Sequence, residues 1–203
     1  PGVSVLVRQN GDVVYARGAG LANLETGDAV TPDTVFRLAS ITKQFTAAVI
    51  LQLVDEGALS LDDTIGDLFE GFDAPGASAT VRQLLNHTSG IQSYTSIPGW
   101  MVEANTNRAY TTDALIAEFS GLPSPNAPGE TYAYNNSGYV LLGAIIEMKT
   151  GMAWHEAVEA RIAEPLGLET LSYGEDSASM ANMASGYTVN DDGEIEASTP
   201  IHM

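Results

Sequence analysis

Val3, Val5 and Val7 alternate with smaller or polar residues, Asn10-Gly11 interrupts the run, and Val13, Val14 and Tyr15 resume it. Both interrupting residues tolerate the positive φ of a tight primed turn, so the pattern predicts a β-hairpin over residues 3 to 20. The period then changes. Ile41, Phe45, Ala48, Val49, Gln52 and Leu53 fall near one face of a helix expected over Ile41 to Glu56, with Gly57 as its stop. Ala47 to Val54 is apolar on most sides, the pattern of a buried helix. Further helices are expected at 80 to 86, where Thr80 and Gln83 have capping-box spacing, and at 112 to 120, which Gly121 ends. Two more are expected at 136 to 150, stopped by Gly151, and at 153 to 163, stopped before Pro165. No strand beyond the hairpin is recognised, and 171–203 reads as a loop or return segment. A lone strand pair does not make a stable sheet, so the hairpin needs a partner.

Composition narrows the function classes. At 203 residues and 44% hydrophobic content the chain can bury a substantial core. Its 26 acids against 8 bases give a formal charge of -18, which repels a phosphate backbone and argues against nucleic acid as a partner. With no cysteine, disulfides, thiolate zinc sites and thiol catalysis are excluded. The longest mostly apolar run, Tyr139 to Met148, contains Glu147 and is about half the ~20 residues of a bilayer span, so no membrane span is expected. The stretch from Pro1 carries no signal-like pattern, and any export signal is expected to be removed or left out. Gly18-Ala19-Gly20 lacks the third glycine of a dinucleotide loop. His155-Glu156 lacks the second histidine of a zinc helix and His202 is isolated, so neither a metal nor a cofactor is expected.

The chemistry centres on Ser40 and Lys43, at the start of the first long helix. Residues three apart on a helix share a face, so the Lys43 amine can reach the Ser40 hydroxyl. A serine hydroxyl is a poor nucleophile until a base takes its proton, and a partly desolvated lysine with a lowered pKa can be that base. A helix N-terminus adds N–H groups near the oxyanion formed on attack. Ser-x-x-Lys alone is a weak signal, but the apolar neighbours Phe36, Leu38, Ile41 and Phe45 suggest that this lysine is drawn out of water, and burying a lysine needs a reason. His87-Thr88-Ser89-Gly90 invites a Ser-His reading with Ser89 as nucleophile. Adjacent side chains rarely face each other and no Gly-x-Ser-x-Gly elbow surrounds it, so it is read as a structural turn after a helix.

Phe36-Arg37-Leu38-Ala39-Ser40-Ile41-Thr42-Lys43, Leu84-Leu85-Asn86-His87-Thr88-Ser89-Gly90, Pro128-Gly129-Glu130 leading to Tyr134-Asn135-Asn136, and Pro165-Leu166-Gly167-Leu168 occur in that order. Together they resemble the serine β-lactamase and penicillin-binding-protein family, in its class C β-lactamase, D-alanyl-D-alanine carboxypeptidase and esterase branch. The resemblance runs from the opening hairpin to about residue 200. It implies an α/β (α+β) fold of β-lactamase/transpeptidase type, an antiparallel sheet flanked by helices with a mainly helical lobe. In one domain over 1–203, residues 1–57 would supply the hairpin and nucleophile helix, 58–170 the helical lobe and 171–203 the return segment. It also implies that Ser40 is acylated, that Lys43 is its general base or proton shuttle, that Tyr134 is a second acid-base group and that Asn136 donates a hydrogen bond to substrate. Asn135 stands where the family commonly has serine, a change expected to be tolerable.

Lys149-Thr150-Gly151 spells the family's third motif but reads as a helix end, whereas the true element lies on a strand. That element is expected beyond Met203, with the family's C-terminal strands missing here or supplied by a second chain. The implied activity is a serine hydrolase acting through an acyl-enzyme on a β-lactam, D-alanyl peptide or ester, with a small molecule or peptide as substrate and an exported location. The alternative is a penicillin-binding sensor without turnover, or a piece inactive without its remaining strands.

Overall fold

In a computed structural model, which describes residues 1–69, 76–173, 180 and 182–198, Asn10 and Gly11 turn the chain back with φ of 53° and 93°. Both values are positive, as the primed turn requires, and they register strand β1 (Gly2–Gln9) against β2 (Asp12–Gly20) with Gln9 opposite Asp12. Val7 pairs with Tyr15 and Arg8 with Val13, so Val14 is an extra residue and the strand bulges there. The chain divides between Ala39 and Ser40, and again between Ser172 and Tyr173, into two units.

The first unit holds this hairpin. Val3, Val5, Val7 and Leu6 on β1, and Val13, Val14 and Tyr15 on β2, are each between 42% and 60% exposed, so apolar side chains stand uncovered on both faces of the ribbon. The return segment is not simply loop, as the pattern suggested. It contains a second antiparallel hairpin, β3 (Tyr187–Val189) against β4 (Ile195–Ala197), around a turn in which Asn190 accepts the N–H groups of Asp192 and Glu194. Strands of three residues are too short for alternation to register, which is why the pattern missed them. Backbone bonds from Ala184 to Val35 and from Ser185 to Ala22 tie this segment to the loop after β2. Tyr187 adds a phenol that accepts the Leu24 N–H at 2.7 Å and donates to Glu25 at 2.5 Å.

The second unit is helical. A 3-10 turn over Ala39–Thr42 leads into α1 (Lys43–Asp55), followed by α2 (Ile65–Leu68), α3 (Val81–Leu85), α4 (Glu103–Thr106) and α5 (Thr112–Ala117). Then come α6 (Asn136–Thr150), α7 (Trp154–Val158) and α8 (Glu164–Leu166). Thr80 and Gln83 form the expected capping box of α3, and Gly151 closes α6 in the left-handed region at φ 68°. The core is built on α6, whose Leu141, Leu142, Ile145 and Ile146 are fully buried. Helices α1, α3, α5 and α7 pack around it. A helix touched on so many sides can be apolar nearly all round, which is what its sequence shows.

Three expectations are corrected. Helix α1 buries one face only, through Thr46, Val49, Ile50 and Leu53, while Leu51 is 47% exposed. The expected helix over 112 to 120 ends at Ala117, and buried Phe119 packs from the turn beyond it. The chain also does not stop before Pro165. The backbone widens into a π turn over Glu159–Ala163 and continues through Pro165 to a left-handed Gly167. Proline has no N–H to give the carbonyl of Arg161, and the Gln52 side-chain amide from α1 supplies a donor at 3.3 Å instead. His202 lies outside the described residues. Among the described residues no helix is long and apolar enough to cross a membrane.

Replacing Ile145, fully buried at the centre of α6, by Ala is expected to destabilise the protein by about 2–5 kcal/mol, through lost transfer energy and a residual cavity. Urea denaturation of the two proteins measures it.

Candidate active site

Ala39 takes a left-handed φ of 46°, uncommon for a residue with a Cβ, and delivers the chain into the 3-10 turn that carries Ser40. In such a turn residues three apart eclipse, which stacks Ser40 directly over Lys43 at the first position of α1. The Lys43 ammonium donates to Ser40 Oγ at 3.1 Å. From 94 residues away in sequence, the Tyr134 phenol reaches the same oxygen at 2.8 Å. Ser40 and Tyr134 are exposed and Lys43 is half-buried, so the cluster is open to solvent rather than sealed in the core.

The Lys43 charge is held by aromatic faces, with Nζ 5.0 Å from the Tyr134 ring centroid and 5.5 Å from that of Tyr139. Arg82 pairs with Asp62 and Arg161 with Glu56. In a chain with 26 acids Lys43 is in neither, which leaves its amine facing the serine and the phenol. Partial burial pushes the Tyr134 phenol up, but hydrogen bonding with Lys43 and Ser40 and the Lys43 charge outweigh it, so the group sits below an ordinary phenol. Tyr139 shifts the other way, raised by burial and by the neighbouring Tyr134, and its hydroxyl donates to the Leu85 carbonyl at 3.0 Å.

Tyr134 lies in the loop just before α6, and the start of that helix is strapped to residues 87–95. Asn135 caps α6 by accepting the Gly138 N–H at 2.8 Å, while its side-chain amide donates to the Ile91 carbonyl and its backbone N–H donates to His87 Nδ1 at 3.1 Å. The Asn136 N–H donates to Ser93 Oγ at 3.2 Å, and fully buried Ser137 accepts the Tyr94 N–H at 2.9 Å. The His87 carbonyl accepts the Ala133 N–H at 2.9 Å. Gly90 lets the turn pass close to residue 126, where a Cβ would stand 2.2 Å from the Asn126 carbonyl oxygen. Buried Ser89 accepts the Ile91 N–H at 3.4 Å, the work of a turn residue.

The structure therefore brings Ser40, Lys43 and Tyr134 together. It does not join Asn136 to them by a hydrogen bond among the described residues. The Asn136 amide nitrogen gives one proton to Thr95 Oγ1 at 2.9 Å and keeps a second. Lys149 falls in the last turn of α6 and so on a helix, not on a strand. Sequence reasoning missed what Asn135 does. The signal was present, because a helix expected from residue 136 makes the asparagine before it an N-cap.

Residues 1–203 match the Beta-lactamase family. The chain belongs to that family. It is 34% identical over 173 residues to penicillin-binding protein 4 of Amycolatopsis lactamdurans, covering 83% of this chain and 43% of that one. It is 32% identical over 190 residues to esterase EstB of Burkholderia gladioli, covering 85% of this chain and 47% of the esterase. Among solved structures, the octameric penicillin-binding protein homologue from Pyrococcus abyssi superposes with a TM-score of 0.86 at 36% identity, over 98% of this chain and 46% of that one. The fold is thus of β-lactamase type, and the chain spans under half the length of each of these relatives.

Asn135→Ala removes both the cap and the buried donor to the Ile91 carbonyl, and is expected to cost about 1–3 kcal/mol in chemical denaturation. Asn135→Ser, which restores only a capping oxygen, should recover part of that loss.

Proposed function

We propose that this chain carries the acyl-transfer site of a serine hydrolase, acting on the carbonyl of a β-lactam, a D-alanyl peptide or an ester. One observation carries the reading: Ser40 Oγ lies within hydrogen-bond reach of both the Lys43 amine, at 3.1 Å, and the Tyr134 phenol, at 2.8 Å. Ser40 Oγ attacks the carbonyl carbon while its proton passes to the Lys43–Tyr134 pair in its deprotonated form. The new C–O bond forms as the carbonyl π bond opens. When the tetrahedral centre collapses, the bond to the leaving nitrogen or oxygen breaks and that atom takes the proton from the pair. Water then repeats the sequence on the acyl-enzyme and returns Ser40 to its hydroxyl. The lowered Tyr134 phenol supports a share in this transfer, because a group that ionises more readily accepts a proton nearer neutral pH. The second proton on the Asn136 amide suits it to orient a substrate carbonyl.

Relatives described as a penicillin-binding protein and as an esterase support a carbonyl substrate and leave its class to the chain's own pocket. The uncovered apolar faces of β1 and β2 support a sheet completed by further strands, from this polypeptide or a second chain.

Ser40→Ala is expected to abolish covalent labelling by a fluorescent penicillin and by a fluorophosphonate, measured on gels under matched exposure. Labelling equal to the parent protein would sink the assignment. Lys43→Met and Tyr134→Phe keep the nucleophile and remove one proton carrier each, so each should slow acylation by about 10²–10⁴-fold.

A further inference from the structure

We propose that His87 is a positioning residue: as a neutral imidazole protonated on Nε2, it holds Tyr134 against Ser40 through its ring face and through the Asn135 N–H that its Nδ1 accepts. This rests on the acyl-transfer reading of Ser40. His87 sits at φ 62°, in the left-handed region, at the turn after α3. That unusual backbone points its carbonyl at the Ala133 N–H, 2.9 Å away, and its Nδ1 at the Asn135 N–H, 3.1 Å away. The two bonds bracket Tyr134 from either side in sequence. The imidazole itself lies on the Tyr134 ring, with centroids 4.5 Å apart and planes tilted by 39°. Both the backbone and the ring of the tyrosine therefore contact one residue that, among the described residues, makes no hydrogen bond to Ser40.

Accepting an N–H requires a lone pair on Nδ1, so the ring proton belongs on Nε2 and the device works only while the imidazole is neutral. Among the described residues, the titratable and charged groups that face it are the Tyr132, Tyr134 and Tyr139 rings and the Lys43 ammonium. Partial burial and the Lys43 charge hold the imidazole below its ordinary value of 6.5, outweighing the Asn135 backbone, which pulls the other way. As pH falls through that lowered value, a proton arrives on Nδ1, the Asn135 bond is lost and a second cation appears beside Lys43. Tyr134 then loses its register on Ser40. Acylation should fall with it.

Asparagine is the informative replacement, because it tolerates the left-handed backbone and its Oδ1 can stand where Nδ1 stood, yet it does not titrate. His87→Ala loses the acceptor and the ring together. It should acylate about 10²-fold more slowly, as a misplacement of about 1 Å can cause. His87→Asn should recover much of that loss at neutral pH, and the step of the acid fall that follows the imidazole midpoint in the parent protein should be absent from its pH profile of labelling, while any fall from protonating the Lys43–Tyr134 pair stays. Persistence of the step at the imidazole midpoint in His87→Asn, or parent-like rates in His87→Ala, would overturn the proposal. If His87→Ala melts below the assay temperature, the asparagine variant and the parent protein decide. In the parent protein, long-range nitrogen–proton NMR correlations should show the Nε2–H tautomer at neutral pH and a midpoint below 6.5, and an Nδ1–H ring would refute it. The two readings fail separately. Labelling that survives Ser40→Ala removes the nucleophile but leaves the tautomer standing, while loss of labelling in Ser40→Ala with indifferent His87 variants removes only the positioning role.

Discussion

The Ser40 hydroxyl accepts from two donors that reach it by different routes, one three residues away and one 94 residues away. The near contact is local geometry: a 3-10 turn puts the residue pair in eclipse, and only the backbone of Ala39–Thr42 is needed to make it. The far contact cannot be local. A phenol must arrive within a few tenths of an ångström of a chosen oxygen, and the loop that carries it has no regular structure of its own. The start of α6 supplies that precision, and α6 is itself fixed as the buried axis of the helical unit.

Precision of this kind comes from polar groups placed where water cannot replace them. Asn135, Ser93 and Ser137 are all buried, and each takes part in a bond between the strap and the start of α6, as do the Tyr94 and Asn136 N–H groups. A buried donor or acceptor left without its partner costs about 1–3 kcal/mol, so displacing the strap by even one bond length forfeits several bonds at once. The start of α6 is accordingly held in one register rather than in a range of nearby ones. The apolar body of α6 supplies most of the packing, while the polar strap selects where its first turn sits.

That division of labour explains what the sequence disclosed. The α6 boundaries, its glycine stop and the capping box of α3 follow from periodicity and end signals, and the structure reproduces them residue for residue. The Ser40–Lys43 pair follows from spacing. Tyr134 is marked only by the resemblance, because no local pattern tells a phenol aimed at a distant serine from a phenol in a core. Asn135 was undervalued for a related reason, since its three bonds run to Gly138, Ile91 and His87 and only the first is near in sequence. The path through Pro165 was hidden too, because the donor that replaces its missing N–H comes from Gln52, 109 residues from Arg161. Local rules rightly mark Pro165 as a breaker. A partner on another helix overrides them.

Tyr134 and Tyr139 show that contacts, and not burial alone, decide how a phenol shifts. Both rings face the same ammonium at nearly the same distance, 5.0 and 5.5 Å, yet their phenols shift in opposite directions. Burial raises each, and the outcome turns on what the hydroxyl touches. The Tyr139 proton is given to the Leu85 carbonyl, an oxygen that can only accept, so ionising Tyr139 would break a bond and leave two bare oxygens facing each other. The Tyr134 hydroxyl meets the Ser40 hydroxyl, which can accept a proton or donate one, and so can exchange roles without losing the contact. A lysine placed between two tyrosines is therefore joined through the serine hydroxyl to only one of their phenols.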